Sequence, residues 1–157
     1  MADLIPLASF RRPGVWFEDV SVGDELPPLV KHPTTRQLVM YAGASGDYVP
    51  IHYDKDVAAE AGHSNVIVHG ALKSAYLAQL VTDWMGHAGQ IVALSVSYRA
   101  IDYPGDRLTC RGRVVDKHVE KETGFVDLEV WLENGQGDVT TPGQASVALP
   151  VKAHVTG

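Results

Sequence analysis

One cysteine in 157 residues leaves no internal disulfide to brace the fold, and a chain without such a framework is expected in a reducing compartment. No apolar run approaches the roughly 18 residues that a membrane-crossing helix needs. The opening MADLIPLASFRRPG lacks the basic start and sustained apolar stretch of a secretory leader, so a cytoplasmic location is expected. Basic residues are outnumbered, 13 Lys and Arg against 19 Asp and Glu, which excludes the clustered positive face of a nucleic-acid-binding protein. A few basic residues at one mouth still suffice for a phosphate-bearing ligand. His63, His87, His118 and His154 stand at no metal-ligand spacing from an Asp, Glu or Cys, so no metal is expected. Cys110 sits in RLTCRGRVV, a strand pattern with no activating histidine nearby, and reads as a small half-buried side chain.

What is present is enough apolar sequence, 45%, for one real core at this length. One domain is expected over residues 15–152, between an N-terminal arm (1–14) and a C-terminal tail (153–157). WFEDVSVGDELP reads as an extended lead-in with a turn at Gly23-Asp24. Thr34 and Gln37 have capping-box spacing, and Leu38, Tyr41 and Ala42 then recur at helical intervals up to Gly43. Asp54 is placed to cap a short helix that Gly62 ends in a left-handed conformation. A longer helix runs from His69 to Gly86, with Leu72, Ala75, Tyr76, Leu80, Val81 and Trp84 on its apolar face.

Residues 91–100, 106–119, 123–133 and 138–150 read as four further strands divided by turns such as Tyr103-Pro104-Gly105-Asp106 and Asn134-Gly135. Helices first and a strand meander after them give an α+β fold, not a βαβ alternation. About five antiparallel strands curled around one long helix bury both apolar surfaces.

The chemistry is concentrated in YAGASGDYVPIHYD, residues 41–54. Asp47 and His52 lie five residues apart where regular structure needs neither. Pro50 biases Val49 towards an extended backbone, making the intervening segment a fixed loop that can hold an acid and a base around one water. Alone, such a pair is weak; its surroundings carry more. SGDxxPIHxD, preceded by YAxxSGD and followed by Val68-His69-Gly70, closely resembles the hydratase motif of the MaoC-like family, usually written YAxxSGDxNPIHxD. The lead-in VxVGDELP is similar as well.

The resemblance implies a hot-dog fold and hydration of trans-2-enoyl thioesters to (R)-3-hydroxyacyl thioesters, or the reverse. It implies that Asp47 and His52 hold the catalytic water while the Gly70 backbone N–H receives the thioester oxygen. No cofactor is then needed beyond the coenzyme A or acyl-carrier portion of the substrate. Ser45, Tyr48, Val49, Val68 and His69 are the neighbouring candidates for substrate contact. The motif is broken at Val49, where it usually carries Asn; a hydroxyl of Tyr48 or Ser45 is a candidate replacement.

The chemistry agrees with these residue types. Attack of water at C3 needs a base, protonation at C2 an acid. The thioester oxygen gains charge, which a preorganised N–H at a helix start stabilises, and glycine there admits close approach. Val81-Thr82-Asp83-Trp84, Tyr103-Pro104-Gly105-Asp106 and Thr140-Thr141-Pro142-Gly143 resemble segments of MaoC-like subunits acting on bulky acyl-CoA substrates such as steroid side chains. Pairing as a homodimer, or as a heterodimer with another hot-dog subunit, is expected.

Lys73, Arg99 and Arg107 are candidates for a coenzyme A phosphate or for ordinary solvated surface. Tyr76 and Trp84 read as core. Two other readings remain open: a non-catalytic hot-dog subunit that shapes the acyl tunnel of a partner, and a hot-dog thioesterase. The first is disfavoured by the presence of both Asp47 and His52. The second calls for a carboxylate on or near the long helix aimed at the carbonyl carbon, but that helix begins with Gly70 and no acid, and Asp83 lies late in it.

Overall fold

The computed structural model describes residues 14–152; the arm before Gly14 and the tail after Lys152 lie outside them. Three helices, α1 (Thr35–Ser45), α2 (Lys55–Glu60) and α3 (Gly70–Met85), are combined with five strands. These are β1 (Leu29–Lys31), β2 (Gln90–Val96), β3 (Leu108–Glu120), β4 (Thr123–Glu133) and β5 (Val139–Leu149). The strands form one antiparallel sheet in the order β1-β3-β4-β5-β2, and α3 touches every one of them. This is the hot-dog arrangement.

Strand β4 shows why the sheet wraps the helix. Val126, Leu128, Val130 and Leu132 alternate with less buried residues, so one face is apolar. Against that face α3 buries Leu72, Tyr76, Leu77, Leu80, Val81 and Met85. Each such side chain contributes roughly 1.5–3 kcal/mol on leaving water. The expected apolar face of α3 is rotated slightly: Ala75 is exposed and Trp84 only partly covered, while Leu77 and Met85 are buried. Cys110 is fully buried, not half-buried, and burial pushes its thiol up to about 12.

Lys73 lies on the buried side of α3 because Asp102 awaits it there. Its ammonium donates to the Asp102 carboxylate at 2.8 Å and to the Ala100 carbonyl at 2.9 Å. Thr140 donates to the same carboxylate at 2.8 Å. Lys73 is therefore neither a phosphate contact nor solvated surface.

Several boundaries depart from the sequence reading. WFEDVSVGDELP forms a 3-10 turn at Phe17–Asp19, a turn closed by Asp24 N–H on the Ser21 carbonyl, and one isolated bridge at Glu25. Pro27 and Pro28 carry no N–H and interrupt pairing until β1. Helix α1 passes through Gly43 and ends at Gly46, whose φ of 77° is the left-handed cap. Strand β2 ends at Val96, although the Ser97 and Arg99 N–H groups still reach the Pro142 and Thr140 carbonyls.

Candidate active site

The end of α1 places the acid. Ser45 Oγ donates to the Tyr41 carbonyl at 2.7 Å and accepts from the Asp47 N–H at 3.2 Å, so the residue after the glycine cap is fixed in direction. Asp47 in turn accepts from the Val49 N–H at 3.4 Å. Val49 is extended, as Pro50 requires, and Pro50–His52 close one 3-10 turn rather than an open loop. The turn is continued by α2, whose first N–H groups are accepted by Asp54.

That turn places the base. His52 Nδ1 lies 2.9 Å from the Ile67 carbonyl oxygen. A carbonyl only accepts, so Nδ1 carries the proton and Nε2 presents its lone pair. Nε2 is 3.8 Å from Asp47 Oδ2, beyond direct hydrogen bonding and within reach of one shared oxygen atom. The two groups differ in surroundings: the Asp47 side chain keeps 36% of its surface, the His52 side chain 11%. His52 is thus buried, although it sits in a segment that the sequence marks as a loop.

What buries His52 is His69. The rings stack with centroids 3.7 Å apart and planes 20° from parallel, and Tyr41 meets the His69 ring edge-on at 4.9 Å. His69 is fully buried and neither ring nitrogen has a hydrogen-bond partner. Burial, then the neighbouring His52, holds its pKa below the usual histidine value, and the nearby Asp47 charge offsets this only in part. His69 is the N-cap of α3 without a side-chain cap bond. His69 thus marks the start of α3 with its backbone, while its ring packs between His52 and Tyr41.

Gly70 is the first residue of α3, so its N–H is among those with no partner inside the helix. The phenol ring of Tyr98 occupies the space beside it: a Cβ on Gly70 would lie 2.9 Å from Tyr98 Cε2. Tyr98 bonds Ser74 through a 2.6 Å hydroxyl contact. Burial, then Asp47, then Tyr98 raises the Tyr41 hydroxyl above its ordinary pKa, which ties both tyrosines to the acid end of the site.

Asp47, His52, His69 and Gly70 are thus brought together, with Ser45 as support. Val68 instead faces the core. Tyr48 and Val49 are mostly exposed, and the Tyr48 carbonyl accepts from the Tyr53 hydroxyl at 2.7 Å. Arg99 and Arg107 are exposed. Arg99 lines a groove of about 480 Å³ with Trp131 and Gln144 that includes neither Asp47 nor Gly70. Tyr41 was present in the motif without a role, and nothing local in the sequence marks Tyr98 or Ser74.

Among the described residues, two groups have metal-ligand atoms within 4.8 Å of one another. Asp47, His52 and His69, the residues of the candidate acid–base site, form the first. Asp116, His118 and Asp127 form the second. This corrects the reading that His118 stands at no metal-ligand spacing from an acid: Asp127 comes from β4, paired in register with Asp116.

A profile of the MaoC-like domain matches residues 21–135. The chain is 30% identical over 151 residues to the fatty acid synthase subunit beta of Gibberella zeae, covering 94% of this chain. It spans only 7% of that large subunit. It is 27% identical to the 3-oxo-4,17-pregnadiene-20-carboxyl-CoA hydratase beta subunit of Mycobacterium tuberculosis, over 83% of this chain and 96% of that one. The (R)-specific enoyl-CoA hydratase of Aeromonas caviae is also 27% identical, over 73% and 84% respectively. In three dimensions an (R)-hydratase from A. caviae involved in PHA biosynthesis superposes with a TM-score of 0.78 at 25% identity, covering 85% of this chain and 99% of that one.

Proposed function

We propose that this chain, which belongs to the MaoC-like domain family, interconverts a trans-2-enoyl thioester and its (R)-3-hydroxyacyl thioester, with Asp47 and His52 as the acid–base pair. The observation that carries this reading is the Ile67 carbonyl, which fixes the His52 tautomer and turns a basic nitrogen towards a carboxylate 3.8 Å away. The relatives named for hydratase activity on acyl-CoA agree in reaction class.

In this mechanism a water sits between Asp47 and His52. His52 Nε2 takes one of its protons as oxygen attacks C3, while the O–H that stays on the oxygen donates a hydrogen bond to Asp47, whose charge also stabilises the imidazolium. The π electrons of the C2–C3 bond move towards the thioester carbonyl, whose developing charge is met by the Gly70 N–H. The proton held by the pair is then delivered to C2, so water adds as H and OH. Dehydration is the same path reversed. A thioesterase would want an acid beside the carbonyl, but Asp83 lies 13 residues beyond Gly70, roughly 20 Å along the helix.

The substrate proposed is a coenzyme A thioester; an acyl-carrier thioester uses the same chemistry. The resemblance to the M. tuberculosis hydratase subunit extends the proposal to pairing with a second hot-dog chain. Purified protein mixed with trans-2-butenoyl-CoA should lower absorbance at the enoyl-thioester band and yield the (R)-3-hydroxy product. Unchanged absorbance with short, medium and bulky enoyl-CoAs would overturn the proposal.

A further inference from the structure

Beside Gly70 the structure holds an aromatic ring that the acid–base chemistry does not use. A Cβ placed on Gly70 would meet Tyr98 at 2.9 Å (Cε2), 3.0 Å (Cζ) and 3.2 Å (Cδ2). The phenol thus fills the space that a side chain at the start of α3 would take.

The ring is anchored at both ends. Its hydroxyl is 2.6 Å from Ser74 Oγ, one helical turn beyond Gly70 on the same side of α3. Its backbone is held on either side by the Ser97 N–H on the Pro142 carbonyl at 2.8 Å and the Arg99 N–H on the Thr140 carbonyl at 2.9 Å. The Lys73 ammonium, itself fixed by Asp102, lies 5.8 Å from the ring centroid. A side chain held in this way resists displacement. Tyr98 nevertheless keeps 53% of its surface, so it is not part of the closed core and its truncation leaves an open notch rather than a buried cavity.

We propose that Tyr98 is a specificity-determining wall beside Gly70, excluding substituents on the acyl carbon next to the thioester carbonyl so that thioesters unbranched at C2 are preferred. This rests on the reading that the Gly70 N–H receives the thioester oxygen. C2 is one bond from the carbonyl carbon, so a group bound at Gly70 brings C2 and anything attached to it against the neighbouring ring. A rigid wall discriminates by repulsion. One or two methyl groups against such a wall change affinity by about 10- to 200-fold.

The test is calorimetric binding of two saturated, unreactive thioesters, butanoyl-CoA and 2,2-dimethylpropanoyl-CoA, to wild type, Tyr98→Phe, Tyr98→Ala and Ser74→Ala. Wild type should favour butanoyl-CoA by at least about tenfold. Tyr98→Ala should remove most of that preference by admitting the branched thioester. Tyr98→Phe and Ser74→Ala, which keep the ring and release its tie, should fall between. An unchanged preference in Tyr98→Ala, equal binding of both thioesters by wild type, or binding of neither overturns the proposal. Saturated thioesters cannot be hydrated, so a failure of the hydratase reading shows separately, as no turnover of trans-2-butenoyl-CoA by a protein that still discriminates between the two.

Discussion

The imidazole of His69 lies flat against that of His52, with ring centroids 3.7 Å apart, and the two rings share a buried site in which a charge on His69 is disfavoured. A second positive charge there would oppose the proton that His52 is proposed to take. Burial and His52 already hold His69 below its ordinary pKa. The sign follows from linkage. As pH falls through about 6.5, histidine in the unfolded chain takes up a proton while folded His69 does not, so stability declines until the depressed folded value is reached. Thermal unfolding should therefore show a loss of Tm on acidification that is smaller in His69→Phe, which keeps a flat uncharged ring. An equal loss in both proteins would show that His69 does not titrate in this way.

The Lys73–Asp102 pair should be costly to break. Lys73→Met leaves a buried carboxylate whose remaining bond is from Thr140, and about 3–5 kcal/mol of stability should be lost. The double variant with Asp102→Leu should recover part of that loss. Urea unfolding measures both, and a cost below about 1 kcal/mol for the single variant would place the pair among weak surface bridges.

Among the described residues, strand β2 is paired on one side only, by β5, and Val92 and Ala93 on it are exposed. An open edge of this kind invites a second chain. Sedimentation at micromolar concentration should give a dimer or, in the presence of its partner, a heterodimer of hot-dog chains. A stable, active monomer would contradict both.

Val49, 54% exposed beside Asp47, stands where the related motif carries an amide. Val49→Asn should alter selectivity between short and bulky enoyl-CoAs and leave the pH profile of kcat/KM unchanged, because position 49 acts on substrate or water placement and exchanges no proton itself. Equal losses on both substrates with a shifted pH optimum would assign position 49 to the acid–base machinery.

Much of this architecture is local and therefore legible in the chain. Thr34 caps α1 by accepting from the Gln37 N–H, Asp54 caps α2, and α3 runs between His69 and Gly86, each as its spacing predicts. Asp47, His52 and Gly70 carry a recognisable motif. The remainder is made by contacts between distant segments. Tyr98 reaches Gly70 only because β2 pairs with β5 beside α3, and Asp102 explains a lysine on the apolar side of a helix that periodicity alone treats as an error. The stacking of His52 on His69 joins residues 17 apart through the fold of the intervening turn and α2. The two consecutive prolines suffice to move the first strand to β1, a local signal that the alternation of the preceding segment obscured.

The most direct measurement is hydration of trans-2-butenoyl-CoA by wild type, Asp47→Asn and His52→Gln at matched folded concentration. Each substitution should lower kcat/KM by about 10² to 10⁴-fold, the usual share of a positioned acid or base, with circular dichroism unchanged. His52→Gln removes the imidazole that receives the proton; Asp47→Asn removes the charge that orients the water and stabilises the imidazolium. Turnover close to wild type in either folded variant would contradict the account.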